Sequence, residues 1–458
     1  MRVVLCAAGV LVLSALTAAS QREGPAAASF EMRVVTTGLD APWEITWGPD
    51  DRLWVTERRG RRVVRVDPQN GSRTTAVEIP EVHQSIQQDG LLGLALHPDL
   101  LAGPGSPYVY LALTYDDAPG PGLRRRMAVR RYRYDPGSSR LIEPVDILTG
   151  VPAHDDHFGG RLAIGPDRRL YLSVGDQGAN FGRNRCLPNQ AQRLPSQTEI
   201  VNRDWSSYQG KILRMELDGS IPADNPAIGG VRSHVFSYGH RNPLGLAFGP
   251  DGRLYESEHG PSSDDEVNLI EGGRNYGWPL VAGFRDDRTY VYENWAASTP
   301  TPCGALPPGG SVPPSVPTQR ETAWSDPAFA PPLRAFFTVD NGEGTERLGG
   351  ATIAPGGIDV YTSDAIPGWN RSLLALSLIR GLVYRLPLAP DGRAVVEPPI
   401  EELATANRYR DIAIAPDGRT IYLATDVDGA SLDAAGARRP LANPGAILAF
   451  TYDGAAAN

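Results

Sequence analysis

Apolar and polar positions alternate in short runs along most of the chain, and the same kind of turn precedes run after run. The segment WGPDDRLWVTER at residues 47–58 returns as IGPDRRLYLSVGD at 164–176, FGPDGRLYESEHG at 248–260 and IAPDGRTIYLATD at 414–426. Looser copies start at Leu96 (LHPDLLAGPGSPYVYLALTY) and Ile353 (IAPGGIDVYTSD), so six copies centre on Pro49, Pro98, Pro166, Pro250, Pro355 and Pro416. Proline presets φ and the following aspartate or glycine tolerates the next turn position. The alternation after it is that of a half-buried strand, so each copy predicts a hairpin. A further strand follows several copies, as in RVVRVDPQNG from Arg62, VRRYRYDPGS from Val129, KILRMELDGS from Lys211 and LVYRLPLAPDG from Leu382. A lone hairpin cannot bury its apolar face, whereas repeated sheets stacked around an axis can. The expectation is an all-β, six-bladed β-propeller over residues 30–455. The strand at 447–454 should pair with the one at 30–38 to close the ring and hide two edges. A β-sandwich or two-domain β protein is the competing architecture, and no helical stretch is long or periodic enough to suggest a second domain.

The chain has 458 residues, a formal net charge of -9 and a pI near 5.4, which argues against a nucleic-acid partner. Lys211 is its single lysine, so arginine carries nearly all the positive charge. The N-terminus, MRVVLCAAGVLVLSALTAAS, has one arginine, an apolar run too short to span a bilayer comfortably, and small residues at its end. Residues 1–20 therefore read as a cleaved secretory signal, with a periplasmic or secreted protein and no stable membrane insertion as the expectation. Beyond the leader there remain Cys186 and Cys303. They can pair in an oxidising compartment, and their spacing does not decide whether they do.

Candidate chemistry gathers in loops beside the predicted hairpins. His154 and His157 lie in PAHDDHFGGR, and the hairpin that follows ends in VGDQGAN with Asp176 at the strand exit. A histidine next to a carboxylate is the pairing a general base needs, although spacing alone favours two surface loop residues. Residues 257–279 concentrate oxygen ligands, with Glu258, Asp264, Asp265 and Glu266 beside Gly260 and Pro261. They suit a hard cation as well as they suit a solvated acidic loop. Arg408 and Arg410, two apart on a predicted strand, would share a face and could clamp a multiply anionic ligand.

Taken in order, QDGLLGLALHPD, DDHFGGRLAIGPD, VGDQGAN, LPNQAQ, GKILRMELDGSIPADNP, GHRNPLGLAF, EHGPSSDDEVNLI, NYGWP and NRYRDIAIAPDG resemble the soluble PQQ-dependent glucose and aldose sugar dehydrogenases. The likeness covers nearly the whole mature chain. It implies oxidation of the anomeric hydroxyl of an aldose, with pyrroloquinoline quinone (PQQ) and Ca2+ as cofactors and an external quinone or redox protein as electron acceptor. It allows a homodimer. It places the proton-accepting histidine at His157, its partner at Asp176, and cofactor contacts at Gln88, Arg241, Asn242, Thr352, Arg408 and Arg410. Calcium at the quinone would use the carbonyls of Gly260 and Pro261, and structural calcium would use Asp265, Glu266, Tyr276, Asp286 and Glu321.

The sequence departs from that pattern in places. Ile379 stands where glucose-specific relatives have a cofactor-binding lysine, and the adjacent Arg380 would face the other side of a strand. Phe158 follows the histidine in place of glutamine, and Leu348 and Gly350 replace aromatic sugar contacts. These features resemble the broad-specificity aldose enzymes more than the glucose-specific ones. A calcium-dependent lactone hydrolase would instead need side-chain carboxylates and an asparagine around a central metal. A non-catalytic binding propeller would have no need of the His157, Asp176, Arg241 and Arg410 set.

Overall fold

A computed structural model describes residues 28–456 except 86–87, 104, 106, 119, 289, 308–310, 339–351, 397 and 434. The leader, Leu348 and Gly350 lie outside the described residues. Six four-stranded antiparallel sheets form the blades of a propeller. Their innermost strands are Pro42–Trp47, Leu91–Leu96, Gly159–Ile164, Pro243–Phe248, Pro355–Tyr361 and Tyr409–Ile414, each touching the next in a closed ring. The ring closes within the sixth blade, as the pattern of the termini predicts. Ala28–Thr36 pairs with Ile447–Ala456, placing Val34 opposite Leu448, and Ile447–Ala456 in turn pairs with Thr420–Thr425. Among the described residues no helix is long and apolar enough to cross a membrane.

The recurring turn works as its residues suggest. Asp167, Asp251 and Asp417 each accept a hydrogen bond from the backbone N–H two residues on, at 3.1, 3.1 and 2.8 Å. That closes the hairpin between innermost and second strands. The fifth copy needs correction. Pro355 opens the innermost strand Pro355–Tyr361, and the matching turn is formed by residues 362–371 before Ser372–Ser377. At a strand's first residue the missing proline N–H breaks no interior ladder bond, so a Pro-Gly signal there need not mark a turn. The count of six blades is unaffected.

The core lies between blades, where apolar side chains of facing sheets interdigitate. Leu92, Tyr110, Met127, Phe158, Leu172 and Leu213 fill the space between the second and third. On the axis itself the packing is ionic. The buried Arg161 of blade three reaches Glu44 of blade one at 2.6 Å and Asp411 of blade six at 2.9 Å, and its Nε donates to the Leu244 carbonyl of blade four at 2.8 Å. Burial holds Glu44 well above the usual carboxylate range, and the Arg161 charge pulls the other way.

All the inner hairpin turns emerge on one face of the propeller. The starts of innermost strands and the ends of second strands therefore meet on the other face, and the candidate site residues cluster there. Two long insertions build up this face: residues 175–210, between the second and third strands of blade three, and 271–333, between the third and outermost strands of blade four. The second insertion climbs beside blade three, where Asn275 bridges Tyr238. Cys186 and Cys303, left open by the sequence, form a disulfide joining the two insertions, with 5.6 Å between their Cα atoms.

Arg161→Met should lower stability by about 3–5 kcal/mol, because Glu44 and Asp411 would stay buried without their cation. Urea unfolding monitored by tryptophan fluorescence checks this, and an unchanged midpoint would exclude Arg161 as a stabilising hub.

Candidate active site

His157 sits just before Gly159–Ile164 with a left-handed backbone, φ 48°. That conformation turns the chain so that the ring is buried facing blade three's second strand. Its Nδ1 lies 2.7 Å from Asp176 Oδ1, two residues beyond the end of that strand. Asp176 is fully buried and accepts three further hydrogen bonds: Gly178 N–H at 2.9 Å, Asn189 Nδ2 at 2.9 Å and Trp278 Nε1 at 2.6 Å. With Nδ1–H donating to this fixed carboxylate, Nε2 carries the lone pair and can accept a proton. Its nearest ionic neighbour is Asp156, at 4.0 Å.

Arg241 and Asn242 enter from the start of blade four's innermost strand. Glu258 Oε2 accepts both of their backbone N–H groups, at 2.6 and 3.1 Å. The Arg241 guanidinium lies between aromatic rings, 5.2 Å from Phe181 and 5.3 Å from Trp278, with Nη1 on the His259 carbonyl at 3.2 Å. Burial lowers its pKa, while the charges of Asp176 and Asp156 oppose that shift. Phe181 also stacks on His157, with ring centroids 6.2 Å apart. Gln88 donates to Asp156 at 3.0 Å, tying blade two to the same rim.

Across the axis, Arg408 and Arg410 converge on Asp426. Arg410 forms an ion pair with it and lies over Trp43 at 4.9 Å, while Arg408 Nε is 4.0 Å from the same carboxylate oxygen. The two arginines come together, but a register shift between Tyr409 and Asp411, not plain strand alternation, sets their spacing. Burial alone would raise the pKa of Asp426, but the two arginines outweigh it and hold the carboxylate below its ordinary range. Ile379 and Arg380 lie in the turn between Ser372–Ser377 and Val383–Pro387, so alternation does not decide where Arg380 points. That corrects the expectation drawn from a strand there.

The stretch from Gly260 to Glu266 forms a tight loop. A Cβ on Gly260 would lie 1.8 Å from the Ser263 carbonyl oxygen, so only glycine fits. Asp265 is spent on backbone and hydroxyl donors: Gly260 N–H at 2.9 Å, Ile353 N–H at 2.7 Å, Ala354 N–H at 3.0 Å and the Thr352 hydroxyl. Burial raises its pKa to about 6. It thereby ties Thr352 to the Gly260–Pro261 loop. Glu266, Glu321 and Asp286 gather at the loop of residues 282–287. Glu266 accepts Gly283 N–H at 2.6 Å, and Glu321 accepts Ala282 N–H at 2.9 Å and Asp286 N–H at 3.3 Å. The Tyr276 hydroxyl points elsewhere, donating to the Leu269 carbonyl at 2.6 Å.

Several contributors were not singled out from sequence. Asn189 and Trp278 lie in LPNQAQ and NYGWP, but nothing in those segments says that both end on Asp176. Lys211 is completely buried and spends its ammonium on the carbonyls of Gln190, Ala191 and Gln209, at 3.1, 2.8 and 2.7 Å, shaping the turn that carries Asn189. His259 bonds the Pro355 carbonyl at 2.8 Å. Burial first, then the Arg241 charge, drive its pKa down to about 3, so it stays neutral.

A histidine backed by a carboxylate with three other anchors, with arginines across the mouth of a propeller, is an arrangement that can take up a proton beside an anionic group. The sequence profile of the glucose/sorbosone dehydrogenases matches residues 39–300 and 344–433, and the chain belongs to that family of oxidoreductases. It is 41% identical over 440 residues to quinoprotein glucose dehydrogenase B of Acinetobacter calcoaceticus, spanning 93% of this chain and 91% of that one. It is 26% identical over 417 residues to the aldose sugar dehydrogenase YliI of Escherichia coli, spanning 89% and 93%. The PQQ-bound aldose sugar dehydrogenase of Streptomyces coelicolor superposes with a TM-score of 0.62 at 27% identity, over 93% of this chain and 99% of that one.

Asp176→Asn should retain the fold but lower turnover by about 10²–10⁴-fold, since the amide cannot hold His157 in the tautomer that leaves Nε2 free. Steady-state kinetics against circular dichroism separates this from unfolding, and turnover within twofold of the parent would remove Asp176 from the role.

Proposed function

We propose that the protein oxidises the anomeric hydroxyl of aldose sugars to the lactone, using PQQ with calcium. The observation that carries this reading is the placement of the His157–Asp176 pair on the same face as Arg241, Arg408 and Arg410. The pocket suits a planar polyanion on its own evidence. Arg241 Nε and Arg408 Nε are buried without a hydrogen-bond partner, and Asp426 is the carboxylate that Arg408 and Arg410 share. A tricarboxylate would supply the missing acceptors to the guanidinium groups. A lactone hydrolase would have no use for this array of arginines.

Arg408, Arg410, Arg241 and Asn242 would hold the cofactor, with Gln88 and Thr352 at its edges and the carbonyls of Gly260 and Pro261 offered to calcium. PQQ, when bound, supplies the two-electron acceptor that receives hydride from the sugar carbon. The chain's own part is to orient the sugar and to take the hydroxyl proton at His157 Nε2. The imidazolium so formed is stabilised by Asp176, which stays ionised and hydrogen-bonded to Nδ1. Trp278 and Phe181 flank Arg241. Export to an oxidising compartment belongs to the same reading and accords with the Cys186–Cys303 disulfide.

Reconstitution of the PQQ-free protein with PQQ and calcium, followed by reduction of an artificial acceptor across a panel of aldoses, tests the reading. His157→Ala should bind PQQ as the parent does while turnover falls by about 10²–10⁴-fold. Near-parental turnover would remove His157 from catalysis. Arg410→Met should weaken PQQ binding, measured by fluorescence titration without sugar, by roughly tenfold or more, since a charged hydrogen bond contributes about 1.5–3 kcal/mol. Unchanged binding would place the cofactor elsewhere.

A further inference from the structure

Behind the loop that carries Arg241 and Asn242, blade four encloses a group of oxygen atoms with no part in the proposed proton transfer. Glu256 and Glu258 lie on Leu254–Glu258, opposite Asn268 and Glu266 of Asp265–Ile270. Residues two apart on a strand share a face, so the four side chains converge. Glu256 and Asn268 are completely buried, Glu258 and Glu266 nearly so, and His240 packs against them with Nδ1 3.1 Å from Glu258 Oε1. His240, Glu256 and Glu258 each offer a ligand atom within 4.8 Å of the others. The Asn268 amide nitrogen lies 3.0 Å from Glu256 Oε2, 2.9 Å from Glu266 Oε2 and 3.5 Å from Glu258 Oε1, so oxygens of three glutamates face one point.

That arrangement is unbalanced in two ways. Among the described residues none of the three glutamates pairs with an arginine or with Lys211. Independently, Glu256 Oε1 and Asn268 Oδ1 are buried with no hydrogen-bond partner. A half-turn of the Asn268 amide exchanges its nitrogen and oxygen. Turned so, Oδ1 would face the carboxylate oxygens, which is repulsive unless a cation or a carboxyl proton lies between them.

We propose that this cluster is a buried calcium site, ligated by Glu256, Glu258, Glu266 and the amide oxygen of Asn268. Carboxylate and amide oxygens in a dry cage suit calcium better than magnesium, which keeps much of its water. The site shares Glu266 with the structural calcium set that the resemblance implies, through the oxygen that faces Asn268, and uses neither Glu321 nor Asp286. It would act on the active site through Glu258, whose other oxygen fixes the backbone of Arg241 and Asn242.

The test uses PQQ-free full chain and no sugar, so its result does not depend on the proposed reaction. After loading with calcium and gel filtration, metal content per chain is measured by mass spectrometry, and melting temperature with calcium and with chelator. Glu256→Gln should lose one equivalent of calcium per chain and melt lower than the parent in calcium. Equal calcium content, with melting unchanged or raised, would overturn the proposal, because removing one of three repelling carboxylates should help if no cation is held. Asn268→Asp covers the case in which the first variant fails to fold. It should keep the calcium equivalent and melt higher than the parent in calcium but lower in chelator, whereas an equal loss in both conditions would also overturn the site.

Discussion

A propeller has no central element, so its axis is where the structure must be held together. Here that falls to one buried guanidinium. Arg161 draws its partners from blades one, four and six, of which only one and six are neighbours. An isolated buried charge would be untenable, and two carboxylates from different blades make this one acceptable only when the ring is closed. Asp411 carries the constraint further, since the oxygen that meets Arg161 also accepts the Ile45 N–H at 2.8 Å. The hub fixes the rotation of each innermost strand. His157, Arg241 and Arg410 stand at the starts of such strands, so fixing the hub also fixes the spacing of the site.

The site repeats the same logic at its own scale. Asp176 is anchored by its own loop (Gly178), by the 175–210 insertion (Asn189) and by the 271–333 insertion (Trp278). Each donor comes from a segment that has little regular structure of its own. The insertions are held instead by the disulfide, by Lys211 on three carbonyls, and by Asn180 with the Glu293 carbonyl and the Trp295 N–H. The base proposed at His157 would cycle between neutral and charged forms, and a carboxylate anchored in this way would hold it in place through the cycle.

Much of this was legible in the sequence because it is local. The Pro-Asp-Gly turns, the alternating strands and the terminal pairing follow from nearest-neighbour chemistry, and they give the blade count. The fifth blade was misregistered because a Pro-Gly pair reads alike at a strand start and in a turn, and only pairing with Ser377 tells them apart. What could not be read depends on distant contact. Trp278 is 102 residues from Asp176, and no local pattern marks it as a donor. The convergence of Arg408 and Arg410 was expected on the right residues for an incomplete reason, since a bulge intervenes. The resemblance places structural calcium at Asp265, and only the fold shows that four donors meet its oxygens.

The two acidic settings of blade four therefore differ in whether every carboxylate oxygen has a donor. Asp265 and Glu321 meet backbone N–H groups, so in them the negative charge positions loops. Glu256 has an oxygen with no partner, and Glu258 and Glu266 share one amide with it. Buried anions left in that state cost more than a fold normally tolerates, so either protons or a cation must complete them. A cation would meet the carboxylates and the Asn268 oxygen turned toward them, and it would do so beside Glu258, whose other oxygen holds the backbone of Arg241 and Asn242.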